Sequence, residues 1–333
     1  MKQQEPINLD DRIKQDLTVL YRILQTLAQL KDIKKEVPGI SAAVKLSKDL
    51  YSGDKHKDDD DSYALSTIGL PGYYAGERNA KTVMVMLNPG VKAEKKDNTI
   101  IEESRKLGID KSSLEAFINS YHSRCQTGVE QDLDKEGKIR IDNFDIKQAA
   151  FLKDWTDSGV PIPDGFPCNG NEDRDVLRET RVNVLKQKLQ LELVPYASQK
   201  FSSLGREKLC YLFPYLETVL DEIFRIDDRK YVIFCSRFFA RLFKAYSNEA
   251  TKNNQSFRFK IKLLKKRPYP DILSNGNVYC TPVRIAKIDK DQEIVAIIAH
   301  TFPSYALPNA YDKMRKYGRK CFECLNEYQQ THK

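Results

Sequence analysis

The run Thr82-Val83-Met84-Val85-Met86-Leu87, which stops at Asn88-Pro89-Gly90, limits what this chain can fold into more than any other stretch. A short, largely apolar and partly β-branched run bounded by turn residues reads as a buried strand, and Asn-Pro-Gly reads as a sharp turn. In an open α/β sheet ligands sit beyond the carboxyl ends of the strands, so a polar side chain at that turn faces a site. Asn88 is that side chain. Its other reading is a turn-capping residue, because Asn-Pro-Gly is itself a turn signal.

Residues 189–195 (LQLELVP), 231–235 (YVIFC) and 294–300 (IVAIIAH) repeat the pattern, with helical periodicity between them. Such strands separated by helices predict a three-layer α/β/α fold around a central four-stranded, mainly parallel sheet. Its strand ends would gather Asn88, Pro195-Tyr196 and residues 300–304 on one rim. Residues 91–188 separate the first strand from the second and read as helices over 100–125, 143–155 and 174–188. A long insertion between core elements commonly carries specificity or partners. The α/β domain then spans residues 63–333, with its insertion at 97–188, and residues 1–62 form a helical N-terminal extension.

In that extension Ile13, Leu17, Leu20, Tyr21, Leu24, Leu27 and Leu30 recur at steps of three and four, which predicts one helix over 8–37 stopped by Pro38-Gly39. A second helix over 41–50 packs on it. A docked extension and a short dimerising coil both fit, although the heptad is not sustained. Residues 69–76 (GLPGYYAG) bring glycine and tyrosine close to the first strand. They either line a pocket, with backbone approach and flat rings, or simply turn the chain.

Lys and Arg total 55 against 47 Asp and Glu, a net charge of +8. A polyanion partner fits this excess, and so does an ordinary protein surface. Residues 257–264 (FRFKIKLL) alternate apolar and basic side chains, which predicts a strand with a basic face. That face suits either phosphate contact or an edge strand whose lysines discourage pairing with another chain. A helix over 310–328 carries Lys313, Arg315, Lys316, Arg319 and Lys320 in its first half.

Seven cysteines are an odd number, and Cys321-Phe322-Glu323-Cys324 is the sole CxxC, without a second pair of soft ligands. Neither a disulfide framework nor a metal site is expected from this pattern. There is no P-loop, G-x-G-x-x-G, G-x-S-x-G or H-E-x-x-H sequence, so nucleotide-fold, hydrolase-elbow and zinc-protease chemistries lack support. Without an 18-residue apolar run or a basic-then-apolar leader, the expectation is a cytoplasmic protein with no membrane partner. No obligatory protein partner is implied.

Three segments then carry a resemblance. Met86-Leu87-Asn88-Pro89-Gly90, Leu193-Val194-Pro195-Tyr196-Ala197-Ser198 and His300-Thr301-Phe302-Pro303-Ser304 resemble the first active-site motif, an intervening strand and the second active-site motif of the uracil-DNA glycosylase superfamily. The first is nearest the G-[MI]-N-P-G of the mismatch-specific thymine/uracil branch, and the last is similar to [HN]-P-S-[PG]. Met86 stands where that branch has glycine, Phe302 where it has His or Asn, and Tyr305 where it has Pro or Gly.

The resemblance implies a monofunctional DNA glycosylase without cofactor or metal, whose partner is DNA. Asn88 would position the water. His300 would stabilise charge on the departing base, against the alternative of a core or capping histidine. Pro89, Gly90, Tyr74 and Tyr196 would line the base pocket. Pro303 and Ser304 would grip the backbone, Tyr305 or Leu307 would fill the gap left by a flipped nucleotide, and Lys313, Arg315 and Lys316 would meet phosphates. The departures imply a base other than plain uracil, such as a modified or mismatched pyrimidine. The hypermodified cytosines of phages belong to that class and would give the protein a defence role. A noncatalytic reader of modified DNA, and an α/β enzyme acting on a free nucleoside, are the alternatives.

Overall fold

A computed structural model describes residues 8–26, 30–51, 65, 69–89, 99–109, 113–127, 143–153, 155, 183, 187–198, 201, 204–252, 257–264, 272–274, 277–279, 284–299 and 310–331. The fold is mixed α/β, with a seven-stranded sheet and a separate two-stranded sheet among these residues. The strands are β1 (Tyr74–Gly76), β2 (Thr82–Met86), β3 (Lys188–Glu192), β4 (Tyr231–Phe234), β5 (Lys260–Leu263), β6 (Ile272–Ser274), β7 (Asn277–Tyr279), β8 (Arg284–Asp289) and β9 (Glu293–Ile298). Their order in the large sheet is β1-β3-β2-β4-β9-β8-β5, and β6 pairs with β7.

All four strands read from the sequence exist, and they are neighbours, as β3-β2-β4-β9. β2 runs parallel to β4, with Thr82 opposite Tyr231 and Val85 opposite Phe234, and β4 runs parallel to β9. The sheet is larger than four strands because β1, β8 and β5 extend it. β8 and β9 form an antiparallel hairpin, and β5 pairs antiparallel with β8 at the sheet's end. β5 keeps the alternation expected of it: Ile261 is buried while Lys260 and Lys262 are exposed. Its terminal place in the order is where lysines suit an edge strand.

The chain organises into two compact units. The first comprises residues 1–74, 86–125 and 191–225, and the second 75–85, 126–190 and 226–333. The N-terminal helices share a unit with the residues around Asn88.

In the first unit, α1 (Leu9–Gln25) starts at Asn8, whose side chain accepts from the Asp11 N–H at 2.8 Å. Its buried face is Ile13, Leu17, Leu20 and Ile23. The single helix expected over 8–37 is instead α1 followed by α2 (Leu30–Glu36). Pro38 does not end the helical segment but opens α3 (Pro38–Tyr51), where a missing N–H at the first position costs nothing. The helix expected over 100–125 is likewise two, α4 (Thr99–Lys106) and α5 (Leu114–Thr127). Gly108, at φ 81°, takes the left-handed conformation that ends α4. Tyr21 and Phe117 rings lie 5.9 Å apart, and Gln25 donates to the Ile109 carbonyl at 2.6 Å, which ties α1 to the segment beyond α4. A 3₁₀ turn (Arg206–Leu212) leads into α7 (Phe213–Phe224).

The second unit holds α6 (Asn143–Leu152), α8 (Phe238–Lys252), α9 (Ala310–Thr331) and the greater part of the sheet. Val83, Met84, Val232 and Ile233 are fully buried, as expected of strands covered on both faces. The fully buried Trp155 stacks on Phe151 at 5.7 Å and meets Tyr231 and Phe322 edge-on at 5.2 and 5.4 Å. Gly318 lets α9 lie against the Phe151 backbone, since a Cβ there would collide with the Phe151 carbonyl. The helix expected over 174–188 lies outside the described residues.

Candidate functional site

The site grows from the end of β2. The β2 and β3 ends are joined by backbone bonds from Leu193 N to Met86 O and from Val194 N to Leu87 O, both 2.9 Å. The chain leaves β2 for β3 on one side and returns for β4 on the other, so the strand order turns back at β2. Such a switch in direction leaves a crevice beyond the strand ends of a parallel sheet, and Asn88 is the second residue past β2.

Asn88 is half-buried. Its Nδ2 donates to Ser198 Oγ at 2.8 Å, and to the carbonyls of Tyr196 and Pro89 at 3.2 Å. Ser198 N donates back to Pro89 O at 3.2 Å. The segment after β3 is therefore moulded around the Asn88 amide, and among the described residues no donor reaches Asn88 Oδ1. The 69–76 stretch adjoins this rim: Gly72 N donates to Pro195 O at 2.7 Å, and a Cβ on Gly72 would sit 2.9 Å from Pro89 Cγ. Glycine at position 72 is thus required by close approach. Tyr121 Oη holds the same stretch through the Pro71 carbonyl at 2.6 Å.

Beneath the rim lies a polar cluster that the sequence reading did not find. Asp16 of α1 is 2 % exposed. Its Oδ2 accepts from Tyr73 Oη at 2.9 Å and Tyr196 Oη at 2.8 Å, and its Oδ1 from Gly39 N at 2.6 Å. The two tyrosine hydroxyls are 3.0 Å apart. Burial pushes the Asp16 carboxyl above its ordinary 3.8, against the Gly39, Tyr196 and Tyr73 hydrogen bonds and the Arg12 charge. Burial likewise raises Tyr73 and Tyr196 well above the phenol range, so both remain donors. The available signal was Asp16 itself, a carboxylate on the apolar stripe between Ile13 and Leu17.

Asn88, Pro89 and Tyr196 come together as the sequence suggested. Tyr196 is 3 % exposed, and its hydroxyl donates to Asp16. Tyr74 is equally buried, and its Oη lies 2.8 Å from Nδ1 of His122, a half-buried histidine of α5 that the sequence reading passed over. Gly90, His300, Pro303, Ser304, Tyr305 and Leu307 lie outside the described residues. Lys313, Arg315 and Lys316 all belong to α9, where Arg315 is half-buried and Lys316 exposed, and the Lys313 side chain lies outside the described set.

Cys321 and Cys324 are both buried within α9, and burial pushes the Cys321 thiol far up. Among the described residues no group of three or more His, Cys, Asp or Glu is arranged to hold a metal, and no helix is long and apolar enough to cross a membrane. Set against protein-family models, curated proteins and solved structures, the chain matches none.

Proposed function

We propose that this protein is a DNA glycosylase that flips a modified or mismatched pyrimidine from DNA and hydrolyses its N-glycosidic bond. The observation that carries the reading is Asn88, placed at the turn-back of the strand order, with its Nδ2 anchored by Tyr196 and Ser198. That anchoring orients Oδ1 to accept a hydrogen bond from a water. An amide is a poor base, so the water attacks the sugar only as the bond to the base breaks and oxocarbenium character develops. Departure of the base then carries most of the barrier, and orientation of the water is what Asn88 supplies. The finer fold belongs to the same proposal: β3, β2, β4 and β9 form the parallel centre of a three-layer α/β/α domain. The net charge of +8 and the basic side chains of α9 suit a phosphate backbone.

A noncatalytic reader of modified DNA is the second reading, and one observation favours it. Every hydrogen bond that Asn88 makes among the described residues goes to its own turn or to the segment after β3, as a purely structural asparagine would bond. Duplexes containing uracil, thymine mismatches, hydroxymethylcytosine or glucosylated hydroxymethylcytosine, incubated with the protein and then treated with alkali, separate the two. Strand cleavage at one base supports excision and names the substrate. Salt-sensitive binding without cleavage supports the reader.

A further inference from the structure

We infer that Asp16, from the N-terminal helix, is a positioning residue that sets Asn88 through Tyr196; the inference rests on the glycosylase reading of Asn88. Tyr196 is held at both ends. Its hydroxyl donates to Asp16 at 2.8 Å, and its carbonyl accepts from Asn88 at 3.2 Å. One residue earlier the Pro195 carbonyl takes Gly72 N, and two residues later Ser198 exchanges bonds with Asn88 and Pro89. A shift of the Tyr196 ring therefore moves the backbone that moulds the Asn88 amide.

The cluster is built for close fit. Gly39 donates its N–H to Asp16, and a Cβ at that position would collide with the Tyr196 hydroxyl and the Asp16 carboxylate. Four segments distant in the chain, around residues 16, 39, 73 and 196, meet at one carboxylate. Stability alone does not call for this arrangement, since a well-packed apolar residue on the buried stripe of α1 would serve a core at least as well as a buried charge. Burial also disfavours the ionised form of Asp16. What the carboxylate supplies is direction: it fixes one hydroxyl, and with it one loop. The N-terminal helices thereby become part of the site.

The test compares Asp16→Asn and Tyr196→Phe with a control, Tyr73→Phe, which leaves the Asp16–Tyr196 bond in place. Two quantities are read in the full chain: excision kinetics on the cleaved duplex, and the side-chain amide resonance of Asn88, assigned by its loss in Asn88→Ala. Tyr196→Phe and Asp16→Asn are expected to lower kcat on the order of tenfold to a hundredfold. KM should change by less than about threefold, because an interaction that serves the transition state is lost rather than ground-state binding. Both variants should shift the Asn88 resonance, and Tyr73→Phe should leave rate and resonance close to those of the unsubstituted protein. Should Asp16→Asn fail to fold, Tyr196→Phe decides alone, since it removes a single oxygen. Unchanged kcat and an unshifted Asn88 resonance in Tyr196→Phe would overturn the inference. If the unsubstituted protein excises no base, the glycosylase reading fails, while the resonance still reports whether Asp16 sets Asn88.

Discussion

The two units fill their interiors with different chemistry. In the second, Trp155, Phe151, Tyr231 and Phe322 meet ring against ring, and β2 and β4 are buried on both faces. Large apolar area and close packing hold that interior, and neither needs exact direction. In the first, Asp16 joins Tyr73, Tyr196 and Gly39 deep below the rim, and Tyr196 passes the constraint to Asn88. Hydrogen bonds of this kind add little net stability each, about 1 kcal/mol, but they select one geometry. The contrast teaches that substitutions in the aromatic core should cost stability and spare the chemistry of folded molecules, whereas those that break the link from Asp16 through Tyr196 to Asn88 should cost the chemistry as well.

The largest stability effect is expected at Trp155. Trp155→Ala should lower the unfolding free energy by about 3–5 kcal/mol, measured by urea titration, with normal excision per folded molecule. A comparable fall in activity per folded molecule would break the contrast. Gly39→Ala comes next. The added methyl has no room beside Tyr196 and Asp16, so a loss of about 1–3 kcal/mol is expected, together with a displaced Asn88 amide resonance.

Asp16→Asn sharpens the contrast through pH. The folded carboxyl titrates above its ordinary 3.8, so the folded state holds a proton that the unfolded state has released in the interval between the two values. The contribution of Asp16 to stability is therefore fully present below 3.8 and is lost as pH rises through the raised value. Urea titrations from pH 7 down to pH 3 should show the unsubstituted protein gaining stability relative to Asp16→Asn. A constant difference would mean that burial does not govern this carboxyl. The smallest effect is expected at Lys262, exposed on the terminal strand β5, where Lys262→Ala should change stability by no more than about 0.5 kcal/mol.

The unequal chemistry also explains what could be read in advance. The strand of residues 82–86 was legible because a run buried on both faces is continuously apolar, and β5 because one exposed face alternates with one buried face. Asn88 was legible as the polar residue where such a run stops. β8 was not, since RIAKID offers three charges and an alanine in six residues and is recognisable only by its pairing with β9 and β5. The break at Gly108 and the new start at Pro38 depend on backbone choices that periodicity does not encode. Asp16 was hidden for another reason: its three donors come from positions 39, 73 and 196, and no local pattern links them.

The most direct test of the account is single-turnover excision by the unsubstituted protein and by Asn88→Ala, run side by side on the duplex that the base panel identifies. Asn88→Ala should retain duplex affinity and lose excision by on the order of a hundredfold or more, the scale seen when one preorganised polar group is removed from a transition state. Excision at an undiminished rate in Asn88→Ala would contradict the account and return Asn88 to a turn-capping role.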